Sequence, residues 1–584
     1  MPPRKRSRQG GSRNPPPTEP VGRPELVVIA TPDAGLRVRA TELASAAGAD
    51  TTPLADTLTR YGASLEPVFG ASEERARARM TAVPTAESLP DLGLYYNVTT
   101  EDARLDELAD NLLAQDLVEA AYVKPAATVP QVVADDVAES INAMLPDPGD
   151  APPVTPDFTA RQGYLDGAPG GIDARYAWTV PGGGGAGVRI IDCEWGWRFT
   201  HEDLVQNQGG VVAGTSSTNT DHGTAVLGEI SGDRNTLGIT GIAPDAIVSA
   251  SSFNDQSTAT AIVNAADRLS AGDILLLEIH RGGPNTPDPP QGQLGYIAIE
   301  WWPDDFAAIR YAVNKGIVVV EAAGNGFQNL DDPIYSQPQA GFPATWSNPF
   351  DPANPSSGAV LVGAGAPPLG THGSNWGPDR SRLDFSNYGA RVDSQGWGRE
   401  VTSTGYGDLQ GGQNADLWYT DAFSGTSSAS PIVVGALACL QGALRAAGRP
   451  PLSPARAQEV LRAHGSPQQD AAGRPATQRI GNRPDLRQML PVVLQQSAGP
   501  WTGVQFRGTV SPNQTTCWFT FNWPAHWHVL WTVVPTSPAP GAPQVSWRVK
   551  VERATDRYAT YWICVTNLTG QPVAIEGRFA VLGW

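Results

Sequence analysis

Three segments of the sequence supply a carboxylate, an imidazole and a serine hydroxyl. Asp192 directly follows the apolar run 188–191, His222 precedes the helix-like segment 225–230, and Ser427 lies in a Gly-Thr-Ser-Ser-Ala-Ser-Pro string. A serine hydroxyl becomes a nucleophile when a base takes its proton and an acid fixes that base. We therefore predict that Ser427 is a nucleophile, His222 its general acid/base and Asp192 the orienting carboxylate.

A fourth segment supplies an amide side chain. Asn325 lies in the string Glu-Ala-Ala-Gly-Asn-Gly at 321–326, which follows an apolar run. An amide N–H at this position is suited to binding the oxyanion that forms when a hydroxyl attacks a carbonyl. Asn325 is thus predicted to act as the oxyanion donor.

The elements that must position these residues are apolar runs separated by helical patterns. Continuous apolar runs occur at 188–191, 246–249, 274–277, 317–320 and 360–362. Such runs are typical of parallel strands that are covered on both faces. We predict a doubly wound α/β fold with a mostly parallel sheet, in which polar residues at the carboxyl ends of the strands form the site.

The composition changes along the 584 residues in a way that predicts several units. We expect a disordered basic, Pro-rich tail at 1–23, a small α+β domain at 24–127, a Pro/Asp-rich linker at 128–171, the α/β domain at 172–490 and an aromatic-rich β-sandwich at 500–584. Cys517 and Cys564 lie in neighbouring strand-like runs of the last unit and are candidates for a disulfide.

The segments around Asp192, His222, Asn325 and Ser427 resemble those of the subtilases, the subtilisin-like serine peptidases. The resemblance covers about 172–490 and implies peptide-bond hydrolysis through an acyl-enzyme. It also implies that Asn325 and the backbone N–H of Ser427 hold the oxyanion. One departure is that the family usually has Ser or Thr and then Gly after the acid, whereas Cys193 and Glu194 follow Asp192 here.

The resemblance further implies which residues bind substrate and which bind metal. The substrate-binding residues that it suggests are Arg281, Gly282, Gly283, Ala323 and Gly324. His280 and Arg281 replace the family's usual Ser-Leu pair, and we expect Arg281 to favour an acidic or polar residue near the cleaved bond. No cofactor is expected for the chemistry. Asp203 and Asn235 are candidate ligands of a structural Ca²⁺, and a polar surface loop is the alternative.

By the same resemblance, the domain at 24–127 is a prodomain that inhibits the enzyme until the linker is processed. A permanently attached stabilising domain is the alternative. The expected partners are therefore a protein or peptide substrate and the chain's own prodomain. For the C-terminal unit, a glycan or surface ligand remains a candidate, although aromatic residues in strands more often form a core.

Charge and targeting patterns exclude other classes of function. The formal net charge is −18, which argues against nucleic-acid binding. No apolar run in the sequence approaches the ~20 residues of a membrane span. The basic start is not followed by the apolar stretch of a signal peptide, so we expect cytoplasmic synthesis, with leaderless secretion left open.

Two alternatives to a zymogen peptidase remain at this point. One is an inactive binding protein on the same fold, because a fold alone does not establish activity. The other is an intracellular processing protease that a signal triggers. The presence of all four predicted catalytic residues, Asp192, His222, Asn325 and Ser427, favours an active peptidase.

Overall fold

A computed structural model describes residues 22–39, 42–70, 72–81, 90–101, 103–130, 152, 154–495, 501–525, 527–555 and 558–583. Most of the predicted tail and the linker region 131–151 lie outside the described residues.

The N-terminal unit is a small α+β sandwich. Its strands are β1 (Glu25–Ala30), β2 (Leu36–Arg39), β3 (Glu42–Ser45), β4 (Ser64–Pro67), β5 (Tyr95–Thr99) and β6 (Val118–Lys124), and its helices are Thr52–Arg60, Glu73–Thr81 and Leu105–Leu113. The main sheet is antiparallel, in the order β4-β5-β1-β6. Leu108 and Leu112 lie on one face of their helix and are fully buried, as their spacing predicts. A short strand β7 (Ala127–Thr128) follows β6 and leaves this sheet.

The central unit is built on a seven-stranded parallel sheet in the order β16-β15-β14-β11-β8-β10-β9. These strands are β8 (Arg189–Glu194), β9 (Gln208–Ala213), β10 (Ile247–Ser252), β11 (Ile274–Leu277), β14 (Val318–Ala322), β15 (Val360–Gly365) and β16 (Ser394–Trp397). Shorter strands at its edge are β12 (His280–Gly282), β13 (Tyr296–Ile297), β17 (Val401–Thr404) and β18 (Tyr419–Phe423). All four residues of β11 are fully buried, which explains the uninterrupted apolar run. The predicted doubly wound α/β fold is confirmed.

Helices cover both faces of this sheet. Helices Thr258–Arg268 and Pro303–Asn314 lie on the face to which Ile191 and Leu275 point, and the apolar core there is continuous with that of the N-terminal unit. Helices Ala174–Ala177, Asp221–Ser231, Thr426–Ala446, Pro454–Ala463 and Leu486–Gln495 belong to the core on the other face. The alternation of side chains along each strand feeds both cores.

Helix Thr426–Ala446 runs through the core of the central unit. Within the described part of the chain, it alone is long and apolar enough to cross a membrane, but its apolar window is entirely buried inside the protein. Length and composition of that kind are also those of a core helix. We therefore interpret its apolarity as core packing.

The C-terminal unit is a β-sandwich of two antiparallel sheets, β19-β24-β21 and β20-β23-β22. Its strands are β19 (Trp501–Val510), β20 (Thr515–Pro524), β21 (His528–Pro535), β22 (Val545–Glu552), β23 (Tyr558–Asn567) and β24 (Val573–Gly583). Cys517 and Cys564 lie directly opposite each other on β20 and β23 and form a disulfide. The predicted additional β-sandwich is thus present.

Candidate active site

The imidazole of the site is held by Glu194. His222 is the second residue of helix Asp221–Ser231, and its Nδ1 is hydrogen-bonded to Oε2 of Glu194, the last residue of β8. Asp192, the carboxylate expected there, instead accepts a hydrogen bond from Trp197 Nε1 at 2.7 Å. Both acids point to the same face of β8 because they are two residues apart. The start of the helix lies by the end of the strand, so the structure places Glu194 where Asp192 was expected.

Two glycines near this contact leave no room for a side chain. A Cβ on Gly223 would overlap the carboxylate of Glu194, and one on Gly196 would overlap the backbone oxygens of Ser217 and Asn219. The sequence therefore contains an acid-x-Gly pattern at Glu194, Trp195 and Gly196. That glycine, two residues after the acid, is the feature by which sequence reasoning could have identified Glu194.

Ser427 lies in the first turn of helix Thr426–Ala446. The helix begins at Thr426, so Pro431 lies inside it and leaves the carbonyl of Ser427 without its usual i+4 N–H donor. Ser427 Oγ donates to the carbonyl oxygen of Pro130 at 3.0 Å, and Ser427 N lies 3.4 Å from the same oxygen. The Pro130 carbonyl oxygen therefore lies close to the Ser427 hydroxyl and to the partial positive charge at the N-terminus of this helix.

Asn325 adjoins Ser427 through the preceding residue, Thr426. Its Oδ1 accepts hydrogen bonds from both N and Oγ1 of Thr426 at 3.0 Å, and its Nδ2 donates to Oε1 of Gln293 at 3.1 Å. Gln293 in turn donates from Nε2 to the carbonyl oxygen of Val129 at 3.1 Å. Gln293 lies in a loop without a motif, so no sequence pattern pointed to it.

Strand β12 forms the wall along which the segment before Pro130 lies. It pairs on one edge with β7, with Thr128 opposite His280 and Ala127 opposite Arg281. Its other edge pairs with β13. Residues 127–130, which we call the cleft segment, therefore lie in an extended path that leads to Ser427.

The predicted substrate-binding residues divide between this wall and the framework behind it. Arg281 is fully buried and its guanidinium bonds to the Glu25 carboxylate and the Pro125 carbonyl, both upstream of the cleft segment. Gly282 pairs with β13, and Gly283 N donates to Gly295 O. Ala323 O and Gly324 O accept hydrogen bonds from Asn387, which fixes the turn that carries Asn325.

Four buried carboxyl groups lie at the ends of β8 and β11 and on the helix that carries His222. Glu278 directly follows β11 beside the end of β8, and Glu229 lies on the same helix as His222. Burial raises the pKa of Asp192, Glu194, Glu229 and Glu278 well above the usual carboxyl values. The charge of Glu194 raises the pKa of Asp192 further, while the charge of His222 lowers it. Positive charge on the imidazole is the feature that favours ionised carboxylates here.

The N-terminal unit is anchored to the central unit by a buried ion cluster. Lys124 is fully buried, and its Nζ lies 2.6 Å from Asp304 Oδ2, 3.1 Å from Asp305 Oδ1 and 3.0 Å from Glu25 Oε2. The OH of Tyr122 also donates to Asp304, at 3.0 Å. Lys124 belongs to β6 of the N-terminal unit, whereas both aspartates begin helix Pro303–Asn314.

The candidate calcium ligands do not fit a calcium site. Asp203 Oδ1 accepts from Asn235 Nδ2 at 2.6 Å, and its Oδ2 accepts from Ile239 N at 2.7 Å and from the OH of Tyr419 at 3.1 Å. Asn235 Oδ1 accepts from Leu237 N. Because protein donors already occupy these oxygens, the pair resembles a neutral hydrogen-bond network more than a Ca²⁺ shell. Among the described residues no cluster of three or more His, Cys, Asp or Glu has metal-binding geometry.

The outer face of the C-terminal unit carries exposed aromatic rings. Phe519 and Phe521 are each 57% exposed and Trp562 is 40% exposed. Phe519 stacks on Trp562 with ring centroids 5.1 Å apart. Part of the aromatic content of this unit therefore lies outside its core.

A parallel α/β sheet that brings a carboxylate, an imidazole and a serine to the carboxyl ends of its strands has the components of a serine hydrolase. Comparisons with known proteins identify the family. Residues 201–477 match the Subtilase family. A thermophilic serine proteinase from Bacillus sp. (strain AK1) is 31% identical over 304 residues, which are 49% of this chain and 59% of that protein. Thermitase from Thermoactinomyces vulgaris is 28% identical over 309 residues, 51% of this chain and 86% of that protein.

Among solved structures, fervidolysin from Fervidobacterium pennivorans, an enzyme related to subtilisin, is 15% identical, with a TM-score of 0.46; the match covers 98% of this chain and 70% of that chain. These matches identify the central unit of this chain as a subtilase domain.

Proposed function

We propose that this protein is a serine endopeptidase made as a zymogen, and that its first substrate is its own chain at the bond between Pro130 and Gln131. The observation that supports this proposal is the carbonyl of Pro130, whose oxygen accepts hydrogen bonds from Ser427 Oγ and Ser427 N. A carbonyl held between a nucleophilic hydroxyl and a backbone N–H is positioned for acyl transfer.

In the proposed reaction, Ser427 Oγ attacks the carbonyl carbon of Pro130 while His222 takes the hydroxyl proton. Glu194, which is hydrogen-bonded to His222 Nδ1, stabilises the imidazolium that forms. Ser427 N and Asn325 stabilise the oxyanion. His222 then donates its proton to the departing nitrogen of Gln131, and water hydrolyses the resulting ester by the reverse proton path.

The N-terminal unit acts as the inhibitor in this proposal. Its cleft segment pairs with β12 and covers this strand. Its buried Lys124 is paired with Asp304 and Asp305 of the central unit. Release therefore requires both cleavage and loss of this ion cluster. An external peptide would then pair with β12 in the same extended form.

The test combines intact mass with a fluorophosphonate probe on the full chain. The wild type should be cut after residue 130 and labelled, whereas Ser427→Ala should remain full length and unlabelled. Ser428→Ala is the matched control because the neighbouring hydroxyl donates to Trp397 O and Gly425 O, away from the cleft segment; it should behave like the wild type. The linker contains Glu139 but no Lys or Arg between residues 131 and 160, so a glutamyl endopeptidase is used to nick it. If the wild type stays uncut and unlabelled even after this nick, the inactive binding protein is the better account.

A further inference from the structure

One side chain of the cleft segment, that of Thr128, is hydrogen-bonded to His280 of the central unit. Thr128 lies two residues before Pro130, the residue whose carbonyl faces Ser427. It is nearly buried, with 9% exposure, and stands opposite His280 on β12. If the bond after Pro130 is cut, Thr128 is the third residue before the cleaved bond.

The hydrogen bonds of His280 determine which of its nitrogens carries a proton. The backbone N–H of Asn325 donates to Nδ1 at 3.3 Å, so Nδ1 is an acceptor. The neutral ring therefore carries its proton on Nε2. Nε2 lies 3.1 Å from Thr128 Oγ1, which means that the imidazole donates and the threonine hydroxyl accepts.

The ring is also fixed in place and kept neutral. His280 is fully buried, and its ring packs edge-on against Tyr296 with centroids 4.9 Å apart. Burial, together with a smaller effect of the charge of His222, lowers the pKa of His280 to about 3. A fixed, neutral donor of this kind distinguishes a side-chain oxygen from a methyl group at the same place.

We propose that His280 is a specificity residue that selects peptides with threonine or serine at the third position before the cleaved bond. This inference rests on the proposed function, because it takes the cleft segment as the pattern for an external substrate. The side chain of valine has the shape of threonine but lacks the accepting oxygen. A peptide with valine at this position would leave the buried Nε2–H without that acceptor.

The expected discrimination follows from the loss of one hydrogen bond of a buried donor, for which the backbone of Val129 remains as a partner. We expect threonine to be favoured over valine by about 2- to 12-fold in kcat/KM. Serine presents its hydroxyl from the same carbon and should stay within a few fold of threonine. A preference that reflected only the size or β-branching of the side chain would instead rank valine with threonine and serine below both.

The experiment uses the self-processed enzyme, prepared from the full-length chain, and three peptides. The first has the sequence of residues 124–133 of this chain, and the other two replace its threonine by valine or by serine. The matched enzyme variant is His280→Phe, which keeps a planar ring but has no donor. Because this residue also contacts Asn325, the readout is the threonine-to-valine ratio within each enzyme, in which a general loss of activity cancels.

The wild type should prefer threonine and serine over valine, and His280→Phe should bring the threonine-to-valine ratio close to one. Equal cleavage of the threonine and valine peptides by a wild type that reacts with the fluorophosphonate overturns this inference alone. Retention of the preference in His280→Phe overturns it as well. A wild type that does not react with the probe overturns the proposed function, and this inference with it. If His280→Phe does not fold, slower self-processing in full-length Thr128→Val than in Thr128→Ser supplies the same comparison, and equal rates overturn the inference.

Discussion

The exchange of a carboxylate for an amide at two neighbouring positions tests which acid serves the imidazole. Glu194→Gln removes the charge from the side chain that is hydrogen-bonded to His222 Nδ1. Asp192→Asn makes the same chemical change two residues earlier on β8, where the new side chain can still accept the hydrogen bond from Trp197. The two variants are therefore matched in chemistry, strand and burial.

The expected magnitudes differ widely. An imidazolium and a carboxylate whose charges lie about 4 Å apart attract each other by about 4 kcal/mol at an effective dielectric constant of about 20. Losing that attraction in the transition state slows the reaction by about 10³-fold, and a mis-set tautomer extends the loss to about 10⁴-fold. Asp192 is hydrogen-bonded to Trp197, which can donate equally well to an amide oxygen, so Asp192→Asn keeps this contact and should cost less than about tenfold.

The assay is the second-order rate of fluorophosphonate labelling, with self-processing of the full chain as a second readout. Labelling reports the activation of Ser427 and is independent of peptide specificity. Circular dichroism and thermal melting of both variants serve as the folding control. A large loss in Asp192→Asn together with near wild-type labelling in Glu194→Gln would refute the assignment of Glu194 and restore Asp192 as the orienting acid.

Three further predictions concern the supports of the site. Lys124→Met leaves two buried aspartates without the lysine that pairs with them. Because breaking a buried ion pair costs about 3–5 kcal/mol, active enzyme should emerge from the full chain about 10²- to 5 × 10³-fold faster. An unchanged time course would contradict the role of this cluster. Gly223→Ala should slow labelling strongly because its Cβ would overlap Glu194, even though alanine is a better helix former than glycine. The control is Gly570→Ala, where a Cβ meets nothing within 4 Å, and it should label like the wild type. Burial raises the pKa of Asp203 to about 7, so the folded state holds a proton that the unfolded chain releases near pH 4. The contribution of this group to the free energy of unfolding therefore falls as pH rises from about 4 to 7. Urea unfolding should show that this fall is smaller in Asp203→Asn, and an equal pH dependence in both proteins would contradict the prediction.

Sequence reasoning recovered the parts of the fold that depend on local patterns. The apolar runs predicted the parallel sheet, and the strings around Asn325 and Ser427 contain residues that the structure joins through Thr426. It chose the wrong carboxylate for the imidazole contact because alternation along a strand orients Asp192 and Glu194 alike. Which of the two meets the imidazole depends on where a separate helix begins, a tertiary distance that no strand pattern contains.

The contacts of Gln293 and Lys124 are a second example of interactions that no local sequence pattern predicts. Each acts through partners that are distant in sequence: Gln293 joins Asn325 to the cleft segment, and Lys124 joins β6 to helix Pro303–Asn314. A buried lysine is costly unless it is paired, but sequence alone does not show that a given lysine is buried. These residues are recognised only when the two units are seen packed together.

The contact of Glu194, rather than Asp192, with the imidazole determines which of the buried carboxyls near the end of β8 is ionised. Glu278 has its pKa raised by burial and then by the charges of Asp192, Glu194 and Glu229. Carboxyls that raise one another's pKa in this way cannot all ionise together. The negative charge should therefore concentrate on the acid that lies closest to a positive charge, and Glu194 is the acid bonded to the imidazole. In the proposed reaction, the positive charge that forms on His222 favours the ionised form of Glu194, so the attraction within the pair is strongest in the transition state.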